Sequence, residues 1–181
     1  MTIHTGTLLE EFLPRYDFAS RHEIETAAPI ERVWNAMLTT DISALPSIRF
    51  LFLLRGMRLR THPSGDLVDQ IRPYGFLELA ARQYQEIVIG AIGKPWRREG
   101  GLIRNLDTER YLEFNEPGYV RIGANLLLTA IDKTYTRIAT ETRIQALDRH
   151  ARTRFAAYWT LIQKPSGWIR MAMLRNIADR A

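Results

Sequence analysis

The chain has 181 residues, 46% hydrophobic and 25% charged, a balance that suits one globular domain over 1–181 and excludes a disordered tail. It contains no cysteine, which excludes a disulfide framework, a thiolate metal site and a cysteine nucleophile. The net charge of +5 rests almost wholly on arginine, because Lys94, Lys133 and Lys164 are the only lysines.

Those arginines are spread along the chain among acids, as in Arg97-Arg98-Glu99 and Asp107-Thr108-Glu109-Arg110. A nucleic-acid binder concentrates its charge on one surface, so this pattern argues for solvated surface and local ion pairs, with an acidic partner as the lesser alternative. Residues 1–6 lack the basic and long apolar parts of a signal peptide. The longest apolar cluster, 50–54, is far shorter than the roughly 20 residues of a spanning helix. A cytoplasmic protein without stable membrane insertion is therefore expected.

In chain order, Leu8, Leu9, Phe12 and Leu13 form a short arm or helix able to dock. Residues 16–26 alternate as a strand, with Phe18, Ser20, His22, Ile24 and Thr26 on one face and Arg21, Glu23 and Glu25 on the other. Pro29 suits the first turn of a helix whose stripe is Ile30, Val33, Trp34 and Met37. Residues 39–61, with their greasy run from Ile48 to Leu54, admit a buried helix lining the core or a mobile flap over an apolar cavity, with membrane contact as a third reading.

Turn chemistry at His62-Pro63-Ser64-Gly65-Asp66 leads into a short helix or extended piece over 67–79. A single strand is then predicted over 80–90, an irregular hairpin or loop over 90–101, and brief strands at Leu102-Ile103 and 111–115. Glu116-Pro117-Gly118 reads as a turn with Pro at its second and Gly at its third position. Strands over 119–131 and 135–147 make a hairpin by spacing alone. In the second of them Ile138, Thr140, Thr142 and Ile144 oppose Arg137, Glu141, Arg143 and Gln145.

The C-terminal segment closes the pattern. Asp148 is an N-cap candidate, and Ala151, Phe155, Tyr158, Trp159 and Ile162 recur at helical spacing. Pro165-Ser166-Gly167 predicts a break or kink before the pattern resumes with Ile169, Met173, Ile177 and Ala178. A run of strands followed by a helix implies an α+β domain with helices on one face of an antiparallel sheet.

This layout resembles the helix-grip fold of the START-like or SRPBCC superfamily, which includes polyketide cyclases, aromatases and lipid-transfer domains. The first match is 24–34, where a strand end, an Ala-Pro turn and a helix with the Val33-Trp34 pair follow one another. The second is Thr140-Glu141-Thr142-Arg143 followed by the aromatic helix. The Glu86-Ile87-Val88-Ile89-Gly90 run and the Trp96-Arg97 pair look like a bacterial branch of that superfamily. The resemblance implies a curved antiparallel sheet wrapped around a long C-terminal helix, with an apolar cavity between them. It carries over no catalytic residue, because the fold hosts many chemistries.

Candidate chemistry is sparse. Gly90-Ala91-Ile92-Gly93-Lys94 lacks the spacing of a phosphate loop, and His4, His22, His62 and His150 show no metal-ligand spacing. Neither a metal nor a cofactor is expected. His22 is a hydrogen-bonded core histidine or else a proton carrier or ligand contact. Glu86, Glu141 and Arg143 form an outer-face charge ladder if the alternation is read in phase. Read one residue out of phase, they enter the cavity as general acid or base and as an anion contact.

Trp96, Phe155, Tyr158 and Trp159 form core or an aromatic pocket wall, with Gln85, Thr140 and Thr142 able to orient a ligand. The expected function is a binding or carrier protein for a small hydrophobic or aromatic molecule. The alternative is an enzyme of the polyketide cyclase, dehydratase or hydrolase type using acid–base groups in the cavity.

Overall fold

A computed structural model describes residues 6–41, 67–97 and 101–181. Five antiparallel strands make one curved sheet in the order β1-β5-β4-β3-β2. They are β1 (Phe18–Thr26), β2 (Leu77–Arg82), β3 (Glu86–Gly93), β4 (Val120–Ala130) and β5 (Thr136–Ala146). The described α-helices are α1 (Leu8–Phe12), α2 (Ile30–Leu38), α3 (Leu67–Ile71), α4 (Thr108–Glu113) and α5 (Arg149–Arg180), with a 3-10 turn at Arg72–Tyr74 after α3. This is the α+β helix-grip architecture, a curved sheet holding a long terminal helix.

Alternation places the expected faces. On the inner face, Ile87, Leu126, Leu128 and Ile138 pack with Val33, Trp34 and Met37 of α2 and with Leu174 and Ile177 of α5. Val120, Ile144, Ala151 and Phe155 form a second cluster where α5 begins. Asp148 caps that helix by accepting from the Ala151 N–H at 2.8 Å, and it also accepts from the Gly118 N–H. Gly118 has φ +83°, as the predicted Pro-Gly turn requires.

Four expectations change. First, the strand predicted over 80–90 is the β2–β3 hairpin, turning at 83–85. Its turn has no Gly, Asn or Asp, and instead Tyr84 takes a left-handed φ of 59°. The Tyr84 ring meets Trp34 edge-on at 6.0 Å, a contact that offsets the backbone strain. Second, residues 111–115 belong mainly to α4, capped by the Asp107 carboxylate, which accepts from the Arg110 N–H at 2.7 Å. Third, α5 runs through Pro165 without a break. The carbonyl that loses its partner there belongs to Leu161, which is 76% exposed and leaves it open to water. The residues on either side are held by inner-face packing.

Fourth, helices cover both faces of the sheet. Leu8 and Leu9 of α1 and Tyr111 of α4 pack on Leu77, Leu79, Val88 and Ile92 of the outer face. Opposed glycines, Gly90 on β3 and Gly123 on β4, leave a notch there. A Cβ at Gly90 would sit 2.8 Å from the Tyr111 ring, so glycine is required for this close approach. Of residues 39–61, read as a buried helix, a flap or a membrane contact, those from 42 on lie outside the described residues.

The outer face also holds Glu86, which has no exposure. Its carboxylate accepts from the N–H of Leu8 at 2.6 Å, the N–H of Leu9 at 3.3 Å and Nδ2 of Asn125 at 2.7 Å. One buried anion thus satisfies the start of α1 and ties it to β3 and β4. Glu86→Ala orphans three donors, at about 1–3 kcal/mol each before relaxation. Denaturant melts should show a loss of ~3–5 kcal/mol, with a smaller loss for Glu86→Gln, which keeps one acceptor. Phe155→Ala should cost ~3–5 kcal/mol in the same assay, because that ring is 2% exposed and packs 5.0 Å from Phe18.

Candidate functional site

Helix α5 runs close along β1, where Gly167 passes over His22, and stands off from β3 and β4 between its two ends, leaving a cavity of about 310 Å³. The sheet supplies Ile87, Ile89, Ile122, Ala124 and Leu126 from β3 and β4. Helix α5 supplies Phe155, Tyr158, Trp159, Ile162 and Ile169 from the side facing them. Leu67, Val68 and Ile71 of α3, with Tyr74 and Phe76 beyond it, form another wall. The size lies at the lower end of small-molecule sites, and the lining is mostly apolar, as such sites are.

Five of the candidate residues border this space: Thr140, Thr142, Phe155, Tyr158 and Trp159. The Thr140 hydroxyl donates to the Asn125 carbonyl at 2.6 Å, so it is occupied. The Thr142 hydroxyl is buried and has no hydrogen-bond partner among the described residues. Phe155 and Trp159 stack with centroids 5.7 Å apart.

The other candidates lie elsewhere. Trp96 sits behind the wall, edge-on to Phe155 at 6.5 Å, with its Nε1 buried and unpartnered among the described residues. Gln85 is exposed in the β2–β3 turn. His22 faces α5 between sheet and helix, hydrogen-bonded to Ser20 Oγ at 3.0 Å. A Cβ at Gly167 would lie 3.1 Å from its Cε1, so α5 passes close over the imidazole.

Glu86, Glu141 and Arg143 lie on the outer face, which rules out the out-of-phase alternation. They do not form a wet ladder either. Arg143 is 6% exposed, reaches Glu141 at 2.6 Å and Glu10 at 3.5 Å, and covers the Tyr16 ring. Burial pulls its pKa down, yet Glu141, Tyr16 and Glu10 together outweigh that and leave it raised. The Asn125 side chain joins the group by accepting from the Glu141 N–H at 2.8 Å while donating to Glu86. The charged groups that chemistry could have used in the cavity thus bind α1 to the back of the sheet.

One lining group escaped the sequence reading: Arg170, on α5 beside Ile169 and one turn after Ser166, both of which also line the cavity. Its Nη1 is buried without a hydrogen-bond partner among the described residues. Burial lowers its pKa to about 10, which leaves it charged at neutral pH. The signal lay in spacing, since Ser166, Arg170 and Met173 follow at offsets of one helical turn. The break read at Pro165 hid it.

Among the described residues no cluster of His, Asp and Glu could hold a metal, and no helix is long and apolar enough to cross a membrane. No protein-family model matches the sequence, and no curated protein matches it. Several solved structures are similar in chain course. They include hypothetical protein jhp0584 of Helicobacter pylori, at 8% identity over 99% of this chain and 97% of that one, with TM-score 0.46. A norcoclaurine synthase point mutant of Thalictrum flavum, in complex with a transition-state analogue, is 9% identical over 90% and 94%, with TM-score 0.41. Zhui aromatase/cyclase of Streptomyces sp. R1128 is 14% identical over 90% and 92%, with TM-score 0.32. At these scores the functional reading rests on the chain's own geometry.

His22 yields a pH prediction. Burial, and then the positive charge of Arg170, hold its pKa below the usual value. The unfolded chain therefore takes up this proton first as pH falls through about 6.5. His22's contribution is full above that point and declines on acidification until the lower folded pKa is passed. Urea melts between about pH 5 and 8 should show this step, and His22→Gln should flatten it.

Proposed function

We propose that this protein binds and carries a small hydrophobic or aromatic molecule held between the sheet and α5. The observation that supports the reading is the apolar cavity of about 310 Å³ under a helix that is packed at both its ends. A void of that size costs stability while empty, and an apolar guest recovers the lost contacts. Phe155, Tyr158 and Trp159 offer flat faces to such a guest, and Thr142 offers a hydroxyl with no protein partner among the described residues.

The carrier reading stands ahead of the cyclase, dehydratase or hydrolase one because acid–base catalysis needs proton carriers converging on the bound molecule. The described lining contains no Asp, Glu or His, and Glu86 and Glu141 are committed to the opposite face.

Native mass spectrometry of freshly purified protein is expected to show a co-purified small molecule that is released on activation. Nile red fluorescence should rise on mixing with the emptied protein. Ala124→Trp places an indole in the space beside Thr142, its partner across the β4–β5 ladder, and should abolish both signals while the far-ultraviolet circular dichroism is kept. A wild-type protein that arrives empty and leaves the dye dark, or a dye response untouched by Ala124→Trp, contradicts the proposal.

A further inference from the structure

Resting on the cavity reading above, we infer that the guest is an organic acid: an apolar body carrying one carboxylate, which pairs with Arg170. A guanidinium bordering an apolar cavity is costly to bury unless an anion meets it. The described ion pairs leave Arg170 out, and its Nη1 has no hydrogen-bond partner among the described residues.

Among the described residues, the surrounding groups do not supply the anion. No carboxylate lines the cavity among the described residues. Glu23 and Glu25 of β1 face away from α5, where they pair with Arg21 and Arg137. The titratable group on which Arg170 acts is the imidazole of His22, whose protonation its positive charge opposes. Ser166, one turn earlier on the same face, and Thr142 on the sheet offer hydroxyls to the same space and no charge. A planar guanidinium matches a carboxylate with two parallel N–H bonds, and the low dielectric of an apolar slot strengthens that pairing.

The polar end of the guest is therefore assigned to the later turns of α5, around Ser166 and Arg170. Its apolar body lies against Trp159, Tyr158 and Ile162. An acyl chain and a fused ring both satisfy this chemistry, and paired probes separate them.

The test uses calorimetric titration of the emptied full-length protein with decanoate and 2-naphthoate, each against its neutral amide. Wild type is expected to prefer at least one acid over its amide by tenfold or more, and the acid that shows it identifies chain or ring. Arg170→Met, which keeps the apolar stem, should remove that preference by weakening acid binding tenfold or more beyond any change in amide binding. Arg170→Lys, which keeps the charge without the fork, should retain part of it. Melting of the empty proteins adds a readout that does not depend on binding: Arg170→Met should melt higher than wild type, because a buried Nη1 with no partner among the described residues is gone.

Acid and amide binding equally to wild type overturns the assignment of Arg170 and leaves the carrier reading standing. Failure of all four probes, together with a dark dye, overturns both. If Arg170→Met does not fold, the acid-to-amide ratio in wild type decides alone.

Discussion

Helix α5 is clamped to the sheet near its start and near its end and stands off from β3 and β4 between them, and this spacing governs the rest of the molecule. Near its start, Ala151 and Phe155 pack with Val120 and Ile144; near its end, Leu174 and Ile177 pack with Ile138, Leu128 and α2. Between the clamps Tyr158, Trp159, Ile162 and Ile169 are only partly buried, because the cavity separates them from β3 and β4. Side chains fill protein interiors to near crystal density, so a gap of about 310 Å³ lined by large apolar groups forfeits several kcal/mol. The helix holds it open because both clamps are fully formed and a helix of 32 residues is a stiff span.

The back of the sheet explains how that curvature is kept. Glu86, Asn125, Glu141 and Arg143 form a connected polar group under α1, with backbone donors from Leu8, Leu9 and Glu141. Between Ala124↔Thr142 and Leu127↔Ala139 the Asn125 side chain stands in for a ladder acceptor, and the Thr140 hydroxyl takes the Asn125 carbonyl. The sheet is thus cross-linked at its centre by directional bonds, those of Glu86, Glu141 and Arg143 on the face away from the cavity and that of Thr140 beside it. Such buried networks are stable only when each member is satisfied, which suits a fixed structural role better than proton traffic.

Much of this was legible in the residues. Period-two alternation in 136–146 put Thr140 and Thr142 on the same side as Ile138 and Ile144, and the aromatic stripe from Phe155 gave α5 its inward face. What was illegible has physical causes. The β2–β3 turn lacks the residues that tolerate positive φ, and Tyr84 adopts it because a tertiary contact with Trp34 holds it there. The outer face looked wet because the arm of Leu8, Leu9, Phe12 and Leu13, legible as able to dock, carries only a five-residue helix and no sign of which face it covers. Arg170 looked like one more solvated arginine because the break or kink expected at Pro165 cut the phase between the aromatic stripe and the turns that carry Arg170 inward. In each case a long-range contact overrode a local rule.

The most direct test of a held-open gap is diffraction from crystals equilibrated with pressurised xenon, which occupies dry apolar cavities without needing the right ligand. The account predicts xenon density between Ile122 and Ala124 on the sheet and Trp159 and Ile162 on α5, with Phe155 and Leu174 unmoved. Electron density showing α5 seated directly on those strands, with side chains filling the space and no xenon site there, would contradict it.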